Sequence, residues 1–276
     1  MRVLFSFILV LAFCSCWVSP LYAMGVTPTR FELTANPKDE VTDAIQVINN
    51  SHEPIHIKVM LLDFIQKDRH IIQGVKASPV SCASWIRFTP NEFNLSPNDK
   101  TYVRFTLSVP EKVSGEYQTS LRLEELPQIR PEQTGMILGV RVNLPIYVKI
   151  NGTENPHCTI TKLTIAHAPV APVLKFDYPL FIRVEVKNDG NVHLRPNGLL
   201  SVREKKTEKV AYEQALQNDE PVLPGNTITL ETGLKEWQRI LSGEYEASVS
   251  LHYFDSAHEV RGKKSFKVLS SGEIIQ

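Results

Sequence analysis

The sequence predicts an all-β protein made of two immunoglobulin-like β-sandwich domains in tandem after a signal peptide. Three observations support this prediction. Eighteen prolines and many short runs of alternating apolar and polar residues favour strands and turns over helices. One long run, Leu138 to Val148, alternates strictly. A set of turn and strand motifs also occurs twice in the same order, which indicates a duplicated architecture.

The start of the chain has the pattern of a secretory signal. Arg2 precedes an apolar run of signal-peptide length, VLFSFILVLAFCSCWV, and small Ala23 stands at a cleavage point. We expect cleavage after Ala23 and export of the mature protein. An uncleaved anchor helix is the alternative, although the run is short for a membrane span. Lipidation at Cys14 is disfavoured because Phe13 before it is bulky.

Composition and motifs exclude several classes of function. Lys plus Arg and Asp plus Glu both number 30, so the net charge is zero and offers no electrostatic footprint for nucleic acid. The sequence has no Gly-rich phosphate loop, nucleophile elbow or metalloprotease helix motif. His52 and His56 lie four apart on an extended segment, too far for joint metal ligation. We therefore expect a protein that is not an enzyme and that needs no cofactor or metal.

Two cysteines remain once the signal is removed, Cys82 and Cys158. An oxidising compartment would allow one disulfide between them. Two partly buried free thiols are the alternative. Their spacing fits no zinc pattern.

An internal repeat predicts the domain organisation. Ser114–Leu121 (SGEYQTSL) recurs as Ser242–Val249 (SGEYEASV). Upstream of each copy lies a turn with proline, and further upstream a strand that runs into an Asn-containing turn. These matched segments are Leu95–Asp99 with Leu223–Asn226, and Ala44–Ile57 with Phe181–Leu194.

The tyrosine of each repeat stands at the start of a late strand, which is typical of the tyrosine corner in immunoglobulin-like sandwiches. We therefore expect one domain over residues 24–150 and a second over residues 151–276. The boundary is expected near Asn151 and Gly152.

The segment Met136–Lys149 (MILGVRVNLPIYVK) is the strand around which the first domain is organised. Its apolar face consists of Leu138, Val140, Val142, Leu144, Ile146 and Val148. Pro145, on the opposite face, cannot donate a ladder hydrogen bond, so at least one side of this strand is predicted to be a sheet edge. The apolar face either closes the core of its own domain or is offered in part to another protein by strand addition.

The other strands follow from shorter runs of the same kind. Those of the first domain are expected at Gly25–Leu33, Val41–Ile48, His56–Asp63, Trp85–Phe88, Thr101–Val109 and Tyr117–Leu123. Those of the second are expected at Thr159–Ile165, Leu180–Lys187, Leu199–Glu204, Lys209–Leu216, Thr227–Glu231, Tyr245–Phe254 and Ser265–Leu269. The tail Ser270–Gln276 is expected to be unstructured.

Part of the chain resembles a known family. Gly25–Phe31 (GVTPTRF), the strand end Val47–Ser51 (VINNS) and the apolar Val59–Asp63 (VMLLD) resemble the opening of periplasmic pilus-assembly chaperones of the PapD type. Matches continue in the same order at Trp85-Ile86, Phe93–Pro97, Val103–Phe105 and Gly115–Tyr117. The resemblance covers roughly residues 25 to 150.

The resemblance implies a periplasmic chaperone that lends the last strand of its first domain to an unfinished pilin-like subunit. The partner-binding residues would then be Leu138, Val140, Val142, Leu144 and Ile146. The family also binds the subunit's terminal carboxylate through an Arg and a Lys. Arg30 matches the Arg, whereas Leu144, next to Pro145, stands where the family has the Lys.

Two functional hypotheses follow. The first is a periplasmic chaperone-like protein that binds secreted pilin-like subunits by strand donation, with an outer-membrane usher and a second copy of the chain as further partners. Leu144→Glu is then expected to abolish partner binding without unfolding the protein. The second is a structural or adhesive component of a bacterial surface assembly without a chaperone cycle, which the missing Lys favours.

Overall fold

The structure, a computed structural model, describes residues 24–67, 70–75, 78–126, 139–167, 180–234, 240–255, 257–271 and 273–276. The all-β prediction is confirmed, and the strands form two immunoglobulin-like β-sandwiches. The predicted signal peptide and Leu138 lie outside the described residues. Within them, no helix has the length and the apolar content that crossing a membrane requires.

The first sandwich consists of two sheets that enclose one hydrophobic core. Its strands are β1 (Met24–Thr27), β2 (Phe31–Ala35), β3 (Glu40–Asn49), β4 (Ile55–Lys67), β5 (His70–Val75), β6 (Ile86–Thr89), β7 (Glu92–Leu95), β8 (Lys100–Ser108), β9 (Glu116–Leu126) and β10 (Arg141–Ile150). One sheet has the order β1-β3-β8-β6. The other has the order β2-β10-β9-β4-β5, with β7 also paired to β4.

The second sandwich has its own core and again two sheets. Its strands are β11 (Cys158–His167), β12 (Leu180–Asn188), β13 (Asn197–Glu204), β14 (Val210–Leu216), β15 (Thr227–Gly233), β16 (Gly243–His252), β17 (Glu259–Val268) and β18 (Ile274–Ile275). The sheet orders are β11-β12-β15 and β14-β13-β16-β17-β18. Sheet membership changes between Ile150 and Cys158, and we propose the domain boundary there.

The tail is not unstructured as predicted. Ile274 and Ile275 form β18, which pairs with Val268 and Lys267 of β17. Ile274 also packs against the second hydrophobic core. The apolar pair therefore extends the sheet, although its polar neighbours suggested a loose end.

The predicted strand Gly25–Leu33 is in fact two strands in different sheets. β1 pairs with β3, whereas β2 pairs with β10. The chain changes sheets around Pro28, which has no N–H to donate to a ladder. This change of sheet decides which part of β10 stays unpaired.

The Asn-containing turn of the first repeat is built around a buried side chain. Asn49 is fully buried, and its Nδ2 donates to the C=O groups of Glu53 (2.8 Å) and Leu95 (3.0 Å). Its Oδ1 accepts from the N–H of Ser51 (2.9 Å). One amide thus joins the end of β3 to the end of β7.

Asn188 forms the same arrangement in the second sandwich. It too is fully buried, and its Nδ2 donates to the C=O groups of Val192 (2.8 Å) and Val222 (2.7 Å). Its Oδ1 accepts from the N–H of Gly190 (2.9 Å). The duplicated architecture predicted from the sequence therefore extends to matching side-chain hydrogen bonds.

The two repeat tyrosines differ. The hydroxyl of Tyr245 donates to the C=O of Leu241, four residues upstream (3.0 Å), as a tyrosine corner does. The ring of Tyr117 packs against the indole of Trp85, with 4.4 Å between ring centroids.

Candidate partner-binding site

One edge of β10 is fully paired. The N–H of Glu125 donates to the C=O of Val140 (2.9 Å), and the N–H of Ile150 donates to the C=O of Gly115 (2.9 Å). Backbone groups of successive strand residues point to opposite edges. The even-numbered residues from Val140 to Ile150 therefore direct their N–H and C=O groups towards β9, and the odd-numbered ones direct theirs to the other edge.

The other edge is only partly paired. β2 runs parallel to β10 and begins to pair at Ile146, opposite Phe31. Among the described residues, no strand pairs with this edge over Arg141–Pro145, which we call the open edge. The N–H and C=O groups of Arg141 and Asn143 point out of it. Pro145 lies where its missing N–H costs no ladder bond, in agreement with the edge predicted from the sequence.

The side chains on the outer face of the open edge are held against β9. Arg141 contacts Glu124 through Nε (2.8 Å) and through a terminal nitrogen (2.7 Å). Asn143 Oδ1 accepts from Nε of Arg122 (2.8 Å). Both side chains thus reach back across the sheet, and the backbone groups of the open edge stay uncovered by them.

The apolar residues predicted to bind a partner divide into two groups. Val140 and Val142 are half-buried at the margin of the first core. Leu144 and Ile146 are fully buried within it. In this structure these last two pack in the core of their own domain, which is one of the two alternatives that the sequence left open, and partner binding by Leu144 and Ile146 stays a prediction. Leu138 lies outside the described residues.

Arg30 lies beside the open edge, one residue before β2 starts to pair. Its side chain is 51% exposed and its Nε lies 3.0 Å from Oε1 of Glu32. The cation predicted from the Thr-Arg motif is therefore accessible but already has a carboxylate partner.

Glu32 is also bound by the second sandwich. A terminal nitrogen of Arg195 lies 3.1 Å from its Oε1. Beside them is a cleft with a cavity volume of 310 Å³, which brings residues of both sandwiches together. Its lining comprises Glu32, Lys149, His193, Arg195, Asn197, His252, Tyr253, Phe254 and Asp255.

A buried histidine also joins the two sandwiches next to this cleft, in the contact region that we call the junction. His193 Nδ1 lies 2.8 Å from Oε2 of Glu116, and the two side chains are 5% and 2% exposed. The His193 ring also packs against the ring of Tyr147, with 4.3 Å between centroids and 34° between the ring planes. Burial raises the pKa of Tyr147 to about 12, so the phenol stays neutral at ordinary pH.

Two further contacts join the sandwiches without charge. Gln66 donates from Nε2 to the C=O of Pro221 (2.8 Å) and accepts at Oε1 from the N–H of Leu223 (2.8 Å). At the start of β9, the N–H of Glu116 donates to the C=O of Asn191 (3.1 Å). Gly115 precedes it at φ 76°, where a Cβ would lie 3.2 Å from Asn191, so glycine permits this close approach.

The disulfide between Cys82 and Cys158 is not formed. Both thiols are free and buried. Cys82 lies in the core of the first sandwich and Cys158 in the core of the second, so the bodies of the two sandwiches keep them apart. Burial raises the pKa of Cys158 to about 12, which keeps its thiol protonated.

No family model matches the sequence, and no curated protein matches it. Solved structures that are similar to the chain include the class 5 fimbriae chaperone CfaA, at 12% identity and a TM-score of 0.48, over 88% of this chain and 99% of that one. The Pseudomonas aeruginosa CupB2 chaperone is 15% identical, with a TM-score of 0.43, over 89% and 100%. The E. coli chaperone DraB is 14% identical, with a TM-score of 0.43, over 87% and 96%.

These similar structures are chaperones, and CfaA is a fimbriae chaperone, the class of protein that residues 25–150 resemble in sequence. With TM-scores below 0.5, the likeness does not by itself assign a function to this chain.

Sequence reasoning missed the junction residues Glu32, Glu116, His193 and Arg195. Glu116 was visible as part of the SGEY repeat, but nothing in the repeat indicates that it is buried against the other sandwich. The pairing of Glu116 with His193 joins residues 77 positions apart.

Proposed function

We propose that this protein is an exported, periplasmic chaperone-like protein that binds pilin-like secreted subunits by adding the open edge of β10 to the subunit's sheet. The observation that carries this proposal is the open edge itself, the stretch Arg141–Pro145, which has no strand paired to one of its sides within the part of the chain that the structure describes. An incoming strand would take the place that β2 leaves free before Phe31.

The backbone and the side chains of β10 would contribute differently. Main-chain hydrogen bonds give affinity in strand addition, and alternate side chains give specificity. Arg141 and Asn143 would supply the N–H and C=O groups, and Pro145 a C=O. The half-buried Val140 and Val142 would meet apolar side chains of the partner where the first core reaches the surface.

Arg30 is the charged group closest in sequence to the point where the incoming strand would meet β2. A guanidinium suits a carboxylate because it can donate two parallel hydrogen bonds. We include Arg30 among the partner-binding residues for this reason. An arriving carboxylate would compete with Glu32, whose charge is shared with Arg195.

A second candidate is a structural or adhesive component of a surface assembly. The residue at position 144 favours it, because a buried leucine stands on β10 where the family that the chain resembles has its Lys. The two candidates differ in where the protein is found. A chaperone is expected in the soluble periplasmic pool, whereas a structural component stays in purified surface fibres.

Asn143→Pro tests the proposed function at the backbone. The substitution removes an N–H that points out of the open edge and breaks no backbone bond to β9, although it also removes the Oδ1 that accepts from Nε of Arg122 in β9. We expect a stability loss of about 1 kcal/mol from the missing bond to Arg122. Capture of the partner should weaken by about 5- to 150-fold, since a desolvated group that loses its hydrogen-bond partner costs about 1–3 kcal/mol. The measurement is affinity purification of the tagged mature protein from its own periplasm, with mass spectrometry of the eluate.

The matched control is Thr229→Pro in β15, an edge strand of the second sandwich. The N–H of Leu234 donates to the C=O of Leu180, so the odd-numbered residues of β15 also point away from their neighbour. Thr229→Pro should leave capture of a small β-rich secreted protein intact. Equal capture by wild type and Asn143→Pro, or equal loss in both variants, would rule out strand addition at β10.

A further inference from the structure

The junction between the sandwiches contains a titratable group that the proposed function does not use. His193 lies in the segment between β12 and β13 of the second sandwich, and it contacts Glu116 at the start of β9 in the first. Its Nε2 faces Glu32 of β2 at 3.8 Å. One imidazole thus lies between two carboxylates of the neighbouring sandwich.

The charges around His193 come from every element packed against it. They are Glu116 from β9, Glu32 from β2 with Arg30 beside it, Arg195 from its own segment and, around the same cleft, Lys149, His252 and Asp255; the phenol of Tyr147 from β10 is neutral. Arg30 and Arg195 both pair with Glu32, so Glu116, Glu32, Arg30 and Arg195 carry no net charge when His193 is neutral. A proton on His193 places a positive charge 2.8 Å from the buried carboxylate of Glu116.

Protonation also decides how many hydrogen bonds the ring can donate. A neutral imidazole donates from one nitrogen, whereas the imidazolium donates from both. Only the charged form can therefore donate to Glu116 and at the same time place a charged N–H towards Glu32, 3.8 Å away. When His193 is neutral, the buried carboxylate of Glu116 no longer faces a positive charge on the ring. A buried charge without a charged partner is costly, so the contact between the sandwiches is weaker in this state.

We propose that His193 is a pH-sensitive clamp that holds the two sandwiches together while its imidazole is charged and loosens them when it loses the proton. This inference does not depend on the proposed function. The Gln66 side chain is not ionisable, so its bonds to Pro221 and Leu223 persist at every pH. The junction therefore loosens without separating.

The direction of the pH response follows from the two pKa changes. Burial disfavours the imidazolium, but Glu116 and Glu32 outweigh it and raise the pKa of His193 above 6.5. Its contribution is complete below 6.5 and is lost as the pH rises through the raised value. The pKa of Glu32 is lowered from 4.5 to about 2, chiefly by His193, so its contribution is lost only as the pH falls from 4.5 towards 2. The clamp is therefore strongest between these limits, in mildly acidic solution.

The test is a distance measurement between spin labels on cysteines placed at Thr42 and Glu213, one exposed position in each sandwich. The native cysteines are buried and should not take up label. We expect a narrow distance distribution at about pH 5.5 and a broader one at about pH 8.5. His193→Gln keeps a donor for Glu116 but cannot titrate, so its distribution should be the same at both pH values.

His56→Gln, which replaces a half-buried histidine that pairs with Glu92 in the first sandwich, is the matched control and should keep the wild-type pH response. If His193→Gln does not fold, Glu116→Gln is a second test. Without this carboxylate the pKa of His193 falls, so the distance distribution should broaden at a lower pH than in wild type. A wild-type distribution that is identical at both pH values, or a His193→Gln variant that broadens as wild type does, would overturn the proposal.

Discussion

Leu144→Glu is expected to unfold the first sandwich. Leu144 is fully buried in the centre of β10, and both β9 and the core surround it. Removing a buried leucine side chain costs about 2–5 kcal/mol, and placing a carboxylate there adds several more. The total is comparable with the whole stability of a domain, about 5–15 kcal/mol. This expected result differs from the sequence-based expectation that the variant folds but does not bind, and the unfolding measurement decides between them.

Val142→Glu provides the comparison, since Val142 lies on the same strand and face but is half-buried. Its carboxylate can reach water, so we expect a loss of about 1–2 kcal/mol in the free energy of unfolding. Urea unfolding followed by circular dichroism measures both variants. If the two lost the same stability, the burial assigned to Leu144 would be wrong.

Asn188→Ala is expected to have the second-largest effect. The fully buried side chain makes two hydrogen bonds to carbonyl oxygens and accepts a third from a backbone N–H. Its removal leaves these groups without a partner, at about 1–3 kcal/mol each. We expect the second sandwich to lose about 3–5 kcal/mol, because water entering the space would satisfy some of them.

Asn226→Ala is the control from the same region, since the part-buried Asn226 side chain donates one bond, to the C=O of Pro224 (3.2 Å). It should cost about 1 kcal/mol. Asn49→Ala should destabilise the first sandwich as Asn188→Ala does the second. A cost near that of Asn226→Ala for either buried asparagine would contradict the matching roles.

The strand pattern and the duplication could be predicted from the sequence because both depend on local order. Alternation identified β10, the proline at position 145 indicated an edge, and the repeats located the two Asn turns. Each of these signals lies within a few residues, where propensity and hydrogen-bonding chemistry decide the structure.

The side of β10 that is open could not be predicted. Alternation assigns side chains to faces, but it does not indicate which edge has a neighbour. That depends on the change of sheet near Pro28, which the sequence presented as one continuous strand, Gly25–Leu33. For the same reason, the apolar face of β10 did not indicate that Leu144 lies inside the hydrophobic core and Val142 at its margin.

The junction depends on contacts between distant parts of the chain. Glu116 and His193 meet only because the two sandwiches pack against each other here, and the repeats that contain these residues do not indicate this contact. For the cysteines, the sequence left a disulfide and two free thiols open, and the structure has the free thiols. An even number in an oxidising compartment allows a bridge, but pairing requires the two Cα atoms to lie within about 7 Å, and the two thiols belong to separate cores.

Residue-resolved amide hydrogen exchange by NMR tests the open edge most directly. In the free protein, the amides of Arg141 and Asn143 should exchange fast and those of Val142 and Leu144 slowly, because only the latter pair with β9. With the captured partner bound, Arg141 and Asn143 should become protected as well. Protection of all four amides in the free monomer, or no new protection at Arg141 and Asn143 in the complex, would contradict strand addition at β10.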